Sequence, residues 1–162
     1  MGVSLDMNVI GYDPALSVEA AWRLPSQVLP ADTIEDLFKQ SKYVSIHIPA
    51  LPSTEGIIDE GLFKKSSDLS LLNFARHEVV NTSDVLNYLN TSHLKNFITD
   101  FPTPELIARA NTAGDVVLLP HIGASTKQAE ENCAVMAVNQ MKEFLQTGNI
   151  KNSVNFPDVH LV

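Results

Sequence analysis

Short apolar, β-branched runs alternate along the chain with windows in which apolar residues recur every three or four positions. The first pattern is typical of strands buried on both faces, and the second indicates amphipathic helices. Their alternation predicts βα units and a parallel sheet, with right-handed crossovers that place helices on both faces. The predicted strands lie near residues 8–13, 43–48, 69–74, 97–101 and 116–119.

Capping residues mark the expected helix starts between these strands. Asp32 and Glu35 predict a capping box at the start of a helix over residues 32–40. Thr82 is expected to cap another helix, and a short helical piece is expected near residues 59–64. Further along, Thr103 and Pro104 supply an N-cap and a first helical position for a short helix.

The longest predicted helix runs from about Thr126 to Thr147, with a capping box at Ser125 and Gln128 and a stop at Gly148. Its apolar residues form one broad stripe, which predicts a helix buried against the core. The stripe comprises Ala129, Cys133, Met136, Ala137, Val138, Met141 and Leu145.

Length and charge narrow the function classes. The chain has 162 residues, which suits one domain, and a net charge of −8 from 19 acidic and 11 basic side chains. Nonspecific nucleic-acid binding needs clustered Lys and Arg, so it is not expected here. The single cysteine, Cys133, excludes an internal disulfide. Because the sequence contains neither a signal peptide nor an apolar run of roughly 20 residues, we expect a cytoplasmic protein without a membrane partner.

Polar side chains stand at the ends of four predicted strands, namely Asp13, Arg76, Asp100 and His121. In open α/β sheets, ligands bind beyond the carboxyl ends of the strands, so these four positions are the main functional clue. The histidines of the chain have no spacing suited to metal ligands, and no metal site is expected.

Three of these strand-end residues have two interpretations each. Asp13 can accept the hydroxyls of an adenosine ribose, which favours NAD over NADP, or it can simply begin a turn before Pro14. Arg76 can hold a carboxylate in a bidentate fork, or it can pair with Glu78 or a nearby acid. His121 precedes a helix start and can transfer protons near neutral pH or be structural.

A carboxylate close to Asp100 adds a fifth candidate. Glu105 is predicted to lie in the first turn of the helix that begins after Thr103, where the helix dipole favours negative charge. On that ground alone, ordinary helix-start chemistry is the favoured interpretation of Glu105.

Five stretches, in this order and spacing, give the chain its family resemblance. They are VIGYDP (9–14), LNFARHEVV (72–80), TDFPTPEL (99–106), PHIGAST (120–126) and NIKNSVNFP (149–157). Together they resemble the NAD-binding domain of the D-isomer-specific 2-hydroxyacid dehydrogenases over about residues 5–157. The resemblance implies a Rossmann-like, doubly wound, mostly parallel sheet with helices on both faces, and NAD as cofactor.

The resemblance also implies roles for individual residues. Arg76 matches the arginine that holds the substrate carboxylate and carbonyl, His121 the proton donor or acceptor, and Glu105 the acid that keeps this histidine basic. Asp13 matches the ribose-binding acid. The remaining positions match those around the nicotinamide end of the cofactor. These are Phe74, Ala75, Asp100, Ile122, Gly123 and Ala124, and Arg76 and His121 are expected to contact the cofactor as well. The implied substrate is 3-phosphoglycerate or a similar 2-hydroxy acid.

The chain departs from the family pattern before Asp13. The family's GxGxxG turn should come about 20 residues earlier, but only twelve residues precede Asp13 and the motif is absent from the sequence. The resemblance therefore predicts a partial dinucleotide-binding domain over residues 1–148 that lacks the first, central strand. Residues 149–162 are expected to form a tail or linker toward an absent substrate domain. His77 and Asn81 stand where the family usually has glycine and aspartate.

Two hypotheses follow from this departure. The chain is either part of an NAD-linked dehydrogenase, or a catalytically silent remnant of the fold that acts as a binding or dimerisation module. Residues 15–24 lie where family members commonly form a two-fold contact, so a homodimer is expected. Apolar residues of this segment suit either a buried patch or a core. They are Leu16, Val18, Trp22 and Leu24.

Overall fold

The computed structural model describes residues 2–123, 125–150 and 153, with only the main chain described at Glu19. It divides into two units, Met1–Pro120 and His121–Val162. The strands are β1 (Val9–Gly11), β2 (Val28–Pro30), β3 (Tyr43–Ile46), β4 (Leu69–Asn73), β5 (Leu94–Thr99) and β6 (Val116–Leu118). The helices are α1 (Val18–Ala21), α2 (Ile34–Gln40), α3 (Glu60–Phe63), α4 (Thr82–Tyr88), α5 (Pro104–Ala113) and α6 (Lys127–Thr147).

All strand pairs in the first unit are parallel, but they form two sheets. β3, β4, β5 and β6 make a four-stranded sheet in that order, and β1 pairs with β2 in a separate ribbon. In the larger sheet Ile46 lies opposite Asn73, and Asn73 lies opposite Thr99. The carboxyl ends of these strands therefore meet at one edge, as the α/β prediction requires.

The core surrounds the larger sheet. β4 is buried along nearly its whole length, as expected for a central strand that helices cover on both faces. Helix α2 buries Phe38 and α3 buries Phe63, while α5 contributes Leu106. The side chains with the least exposure are Phe38, Phe63, Leu69, Leu71, Val79, Val85, Leu94 and Leu106.

Helix starts agree with the sequence only in part. The Thr103 cap and the Pro104 start of α5 are confirmed, since the Thr103 side chain accepts a hydrogen bond from the Leu106 amide. The Asp32–Glu35 capping box is wrong, because Thr33 caps α2 through the Asp36 amide. A one-residue slip of this kind is expected where several neighbouring residues can cap a helix.

The same slip recurs at two later helices. Asn81, rather than Thr82, caps α4, and Thr126, rather than Ser125, caps α6. The stop at Gly148 is confirmed, since this residue adopts a φ of 72° and its N–H donates to the Phe144 carbonyl.

Helix α6 contradicts the prediction of a buried apolar stripe, since none of its described side chains is buried. Helical periodicity shows that apolar residues share a face, but burial requires a surface that covers the face. Its exposed apolar side chains are Val135, Met136, Val138, Met141, Phe144 and Leu145. Among the helices described, none is both long and apolar enough to span a bilayer.

Candidate functional site

The turn after β4 is fixed by the buried side chain of Asn73. Its amide nitrogen donates to the Arg76 carbonyl at 2.8 Å, and its amide oxygen accepts from the Ala75 N–H at 3.1 Å. The Thr99 hydroxyl of the next strand donates to the Asn73 carbonyl at 2.9 Å. The main chain from Asn73 to Arg76 is thus held to the sheet by three hydrogen bonds.

This turn forms one wall of an open cavity of about 500 Å³ at the carboxyl ends of β3 and β4. The Arg76 Nη1 donates to the Ala75 carbonyl at 2.7 Å. The alternative in which Arg76 pairs with Glu78 is wrong, because Glu78 lies 3.1 Å from the Nδ1 of His77 and Arg76 makes no ion pair among the described residues. The cavity is lined by His47, Ile48, Pro49, Ala50, Phe74, Ala75 and Arg76.

Sequence reasoning missed His47 as a residue of this cavity. Its Nε2 lies 2.9 Å from the hydroxyl of Ser45, which is two residues earlier and lies in β3. The signal was available, because His47 directly follows a predicted strand just as Arg76 does. Metal-ligand spacing does not reveal this role, because His47 meets Arg76 only through the alignment of neighbouring strand ends.

Asp13 lies beyond the end of β1 and is exposed. Its Oδ1 accepts a hydrogen bond of 2.9 Å from the Ala15 N–H, and its carbonyl accepts one of 3.3 Å from Leu16. The turn interpretation of Asp13 is therefore confirmed. This hydrogen bond uses only one oxygen of the carboxylate, so it does not test ribose binding, which stays a prediction.

Asp100 follows β5 directly and is buried. The Phe101 N–H beside it donates to the Thr99 hydroxyl at 3.2 Å, and the Phe101 ring lies 6.0 Å from the ring of His77. The contact between the Phe101 and His77 rings brings the segments after β5 and β4 together at the same edge of the sheet as the cavity.

Glu105 lies at the second position of α5, as predicted. Hydrogen bonds from its own backbone N–H, and then from the Thr103 hydroxyl, lower the pKa of the Glu105 carboxyl. This is the helix-start chemistry expected on local grounds. Its part in proton transfer stays a prediction.

The PHIGAST stretch falls in the second unit. His121, Ile122 and Gly123 are exposed there, and the Ser125 N–H donates to the Ile122 carbonyl at 3.0 Å. Ala124 lies outside the described residues. Within the described part of the chain, no three His, Cys, Asp or Glu side chains cluster as metal ligands.

The cavity lies at the carboxyl ends of parallel strands, which is where open α/β sheets bind their ligands. Residues 1–123 match a sequence model of the family described as D-isomer specific 2-hydroxyacid dehydrogenase, NAD binding domain. The chain belongs to this family. The fold and the cofactor class that the sequence predicted are thereby confirmed.

Relatives with assigned activities support this membership of the 2-hydroxyacid dehydrogenase family. D-3-phosphoglycerate dehydrogenase of Haemophilus influenzae is 31% identical over 167 residues, which cover 98% of this chain and 39% of that protein. The Synechocystis sp. enzyme of the same name is 27% identical over 157 residues, which cover 95% of this chain and 28% of that protein. This chain therefore spans well under half of the length of these relatives.

Solved structures of the 2-hydroxyacid dehydrogenases share the fold. The NAD-complexed D-isomer specific 2-hydroxyacid dehydrogenase of Lactobacillus delbrueckii ssp. bulgaricus has a TM-score of 0.76 at 22% identity, covering 91% of this chain and 48% of its own. The NAD⁺-bound 3-phosphoglycerate dehydrogenase of Entamoeba histolytica has a TM-score of 0.72 at 25% identity. The match covers 93% of this chain and 47% of that chain.

Proposed function

We propose that this chain is the cofactor-binding part of an NAD-dependent oxidoreductase of D-2-hydroxy acids, with 3-phosphoglycerate as the substrate and serine biosynthesis as the role. The observation that carries the proposal is the cavity beside Arg76 at the ends of β3 and β4. A guanidinium fork can bind a carboxylate in two parallel hydrogen bonds, which fixes the orientation of the hydroxy acid.

Three side chains are proposed to carry the reaction. Arg76 holds the substrate carboxylate and carbonyl, and His121 gives a proton to the keto oxygen or takes one from the hydroxyl. Glu105 stabilises the protonated imidazole and so raises its basicity. When bound, NAD supplies the hydride chemistry, while the chain orients the substrate and moves the proton.

The residues present fit two ends of NAD. Asp13 offers an exposed carboxylate for the ribose, and the cavity beside Phe74 and Ala75 is of a size suited to a small-molecule group. The same proposal assigns the nicotinamide end to Asp100, Ile122, Gly123 and Ala124 as well. The pyrophosphate contacts, which in this fold come from a glycine turn, have no counterpart in the sequence.

The proposal treats residues 1–148 as a partial dinucleotide-binding domain and residues 149–162 as a linker toward a substrate domain. In this proposal the substrate domain supplies further contacts to the hydroxy acid. The cytoplasm is the proposed compartment, since a lone exposed thiol at Cys133 suits a reducing environment.

A second candidate is a catalytically silent module that binds a second copy of the chain. The observation in its favour is the exposure of apolar side chains on and around α1, where Trp22 is 84% exposed and Val18 76%. A large aromatic side chain in such a patch is typical of an interface. Homodimerisation through residues 15–24 is compatible with either candidate.

A chimera separates the two candidates. Residues 2–150 of this chain replace the matching segment of Haemophilus influenzae D-3-phosphoglycerate dehydrogenase, and NADH formation from 3-phosphoglycerate is measured. We expect activity that His121→Asn lowers by roughly 10²–10⁴-fold, the usual contribution of general acid–base catalysis. Arg76→Lys should mainly raise KM.

His93→Asn is the matched control, because His93 precedes the amino end of β5 and its ring contacts the Ser66 carbonyl at 2.9 Å, away from the carboxyl ends. A folded chimera without activity on any 2-hydroxy acid would favour the silent module. Equal losses in His121→Asn and His93→Asn would refute the assignment of His121.

A further inference from the structure

Two turns follow neighbouring strands of the larger sheet, and each contains a residue of the proposed site. The turn after β4 contains Arg76, and the turn after β5 contains Asp100. The strands are parallel, and Asn73 at the end of β4 lies opposite Thr99 at the end of β5. Asn73 and Thr99 are therefore the last paired residues before the two turns begin.

Thr99 and Asn73 are each 1% exposed, although both have polar side chains. A buried polar group costs free energy unless it is hydrogen-bonded, and an apolar side chain would fill such a position without that requirement. The Thr99 hydroxyl donates to the Asn73 carbonyl at 2.9 Å and accepts from the Phe101 N–H at 3.2 Å. One buried hydroxyl thus joins the beginnings of both turns.

The two hydrogen bonds of the Thr99 hydroxyl differ in range. The bond from Phe101 is local, because it spans Asp100 and closes the turn as serine and threonine hydroxyls commonly do. The bond to Asn73 is long-range, since the partners are 26 positions apart in the chain. Local turn chemistry explains the first bond but not the second, so the hydroxyl does more than close its own turn.

Asn73 continues the connection to the arginine. Its side-chain amide donates to the Arg76 carbonyl at 2.8 Å and accepts from the Ala75 N–H at 3.1 Å. A continuous path of hydrogen bonds therefore runs from the Arg76 carbonyl through Asn73 and the Thr99 hydroxyl to the Phe101 amide. A buried network whose groups are hydrogen-bonded holds its members rigidly.

Two further contacts lie beside this path. The Phe101 ring lies 6.0 Å from the His77 ring, so the two turns also meet at the surface, where the His77 side chain is 64% exposed. The Thr99 carbonyl accepts from the Leu119 N–H at 2.9 Å, which connects the end of β6 to the same strand end. The hydroxyl of Thr99 is better shielded from water than the ring contact, so we expect it to dominate the connection between the turns.

We propose that Thr99 is a positioning residue whose hydroxyl holds the turn with Arg76 and the turn with Asp100 in one fixed relation. The inference rests on the proposed function, in which Arg76 holds the hydroxy acid and Asp100 contacts the nicotinamide end of NAD. Loss of the hydroxyl should then impair both contacts together, because neither turn keeps its position relative to the other. A side chain that supported one turn alone would change the binding of one ligand.

Hydrogen exchange of the full chain tests the structural part of this proposal. Thr99→Val replaces the hydroxyl with a methyl group of similar size. We expect it to speed exchange at the Phe101 amide and also at the Ala75 amide by roughly fivefold or more, the effect of one lost hydrogen bond. Ala75 is the diagnostic amide, since its own acceptor on Asn73 is unchanged. Thr99→Ser, which keeps the hydroxyl, should exchange like wild type at both.

Ser66→Ala is the matched control. Ser66 is 4% exposed, and its hydroxyl also makes two hydrogen bonds, to the Phe63 and His93 carbonyls at 2.8 and 3.0 Å. These bonds lie near the amino ends of β4 and β5, away from both turns. The control therefore shares any general loss of stability with Thr99→Val, but it should not speed exchange at Ala75 or Phe101 beyond that general loss.

The chimera described above tests the functional part. Thr99→Val should raise KM for 3-phosphoglycerate and KM for NAD together, each by roughly fivefold. Thr99→Ser should restore both values, and Ser66→Ala should change neither. If Thr99→Val does not fold, Thr99→Cys replaces it, because a thiol is a weaker donor and acceptor and should shift the same quantities in the same direction.

Three results would overturn the proposal. They are faster exchange at Phe101 without faster exchange at Ala75, equal effects of the Thr99 and Ser66 variants, and a rise of only one KM in an active chimera. A chimera that is inactive on every 2-hydroxy acid would instead refute the proposed function. The exchange measurement would still decide whether the Thr99 hydroxyl joins the two turns.

Discussion

The side-chain amide of Asn73 donates a hydrogen bond of 2.8 Å to the carbonyl oxygen of Arg76, so a buried strand residue fixes the backbone of the arginine proposed to bind substrate. The guanidinium itself remains at the edge of the cavity. Rigid support of this kind determines how accurately a binding group is placed.

Asn73→Ala should lower the free energy of unfolding by about 1–3 kcal/mol, because two backbone groups lose their buried partner. In the chimera it should also raise KM for the hydroxy acid. Asn96→Ala is the control, since Asn96 donates to the Ser70 hydroxyl within the same sheet but away from the cavity. An equal rise of KM in both variants would contradict the positioning role of Asn73.

The isolated chain should bind NAD weakly, in the millimolar range or worse, which corresponds to roughly −4 kcal/mol or less favourable. The physical reason is that the glycine turn supplies the backbone donors for the pyrophosphate. Calorimetric titration checks this expectation. Micromolar affinity would mean that other residues of the chain replace the turn.

In the chimera, Asp13→Ala should narrow the preference for NAD over NADP, because the carboxylate repels a 2′-phosphate. The measurement is the ratio of kcat/KM for the two cofactors. Glu55→Ala, a change of one exposed acid elsewhere, controls for net charge. An unchanged ratio would mean that Asp13 stabilises the turn and has no part in the choice of cofactor.

The lowered pKa of Glu105 gives the protein a stability contribution that is present above the unfolded pKa of a glutamate, near 4.3, and is lost as pH falls through the lower folded value. Glu105→Gln should therefore be less stable than wild type at neutral pH, and the difference should close in acid. Thermal unfolding over a pH series measures it. A pH-independent difference would mean that charge is not the cause.

The same variant tests the proton-transfer role in the chimera. If Glu105 stabilises protonated His121, then Glu105→Gln removes that stabilisation and favours the neutral imidazole. Keto-acid reduction should then decline at lower pH, and the rising limb of hydroxy-acid oxidation should shift to lower pH. Superimposable pH–rate profiles of wild type and variant would mean that Glu105 stabilises the start of α5 and takes no part in proton transfer.

The Arg109 guanidinium hydrogen-bonds the Asp115 carboxylate through Nε and Nη2, and this lowers the pKa of the aspartate. Asp115→Asn should reduce the melting temperature by roughly 2–6 °C at neutral pH. This difference in melting temperature should vanish as pH falls through the lowered pKa of Asp115. Asp68→Asn is the control, since its pair with Lys42 is exposed and should contribute little. Equal losses in both variants would contradict a special contribution of the Arg109 pair.

The sequence by itself determined the elements whose signals are local. Continuous apolar runs located β4, and Thr103, Pro104 and Gly148 marked helix ends correctly, because capping and left-handed turns depend on neighbouring residues. The order of five motifs identified the family. In each case the deciding information lies within a few residues or in their linear order.

Only the tertiary structure decided which of these surfaces and side chains meet. Asn73 reached the Arg76 turn, and His47 joined Arg76 at one cavity, because neighbouring strands align their carboxyl ends. The apolar stripe of α6 remained exposed, and the strands divided into two sheets at β1 and β3. Periodicity states that a face is apolar or that a strand can pair, but the partner that covers or pairs with it is a long-range property.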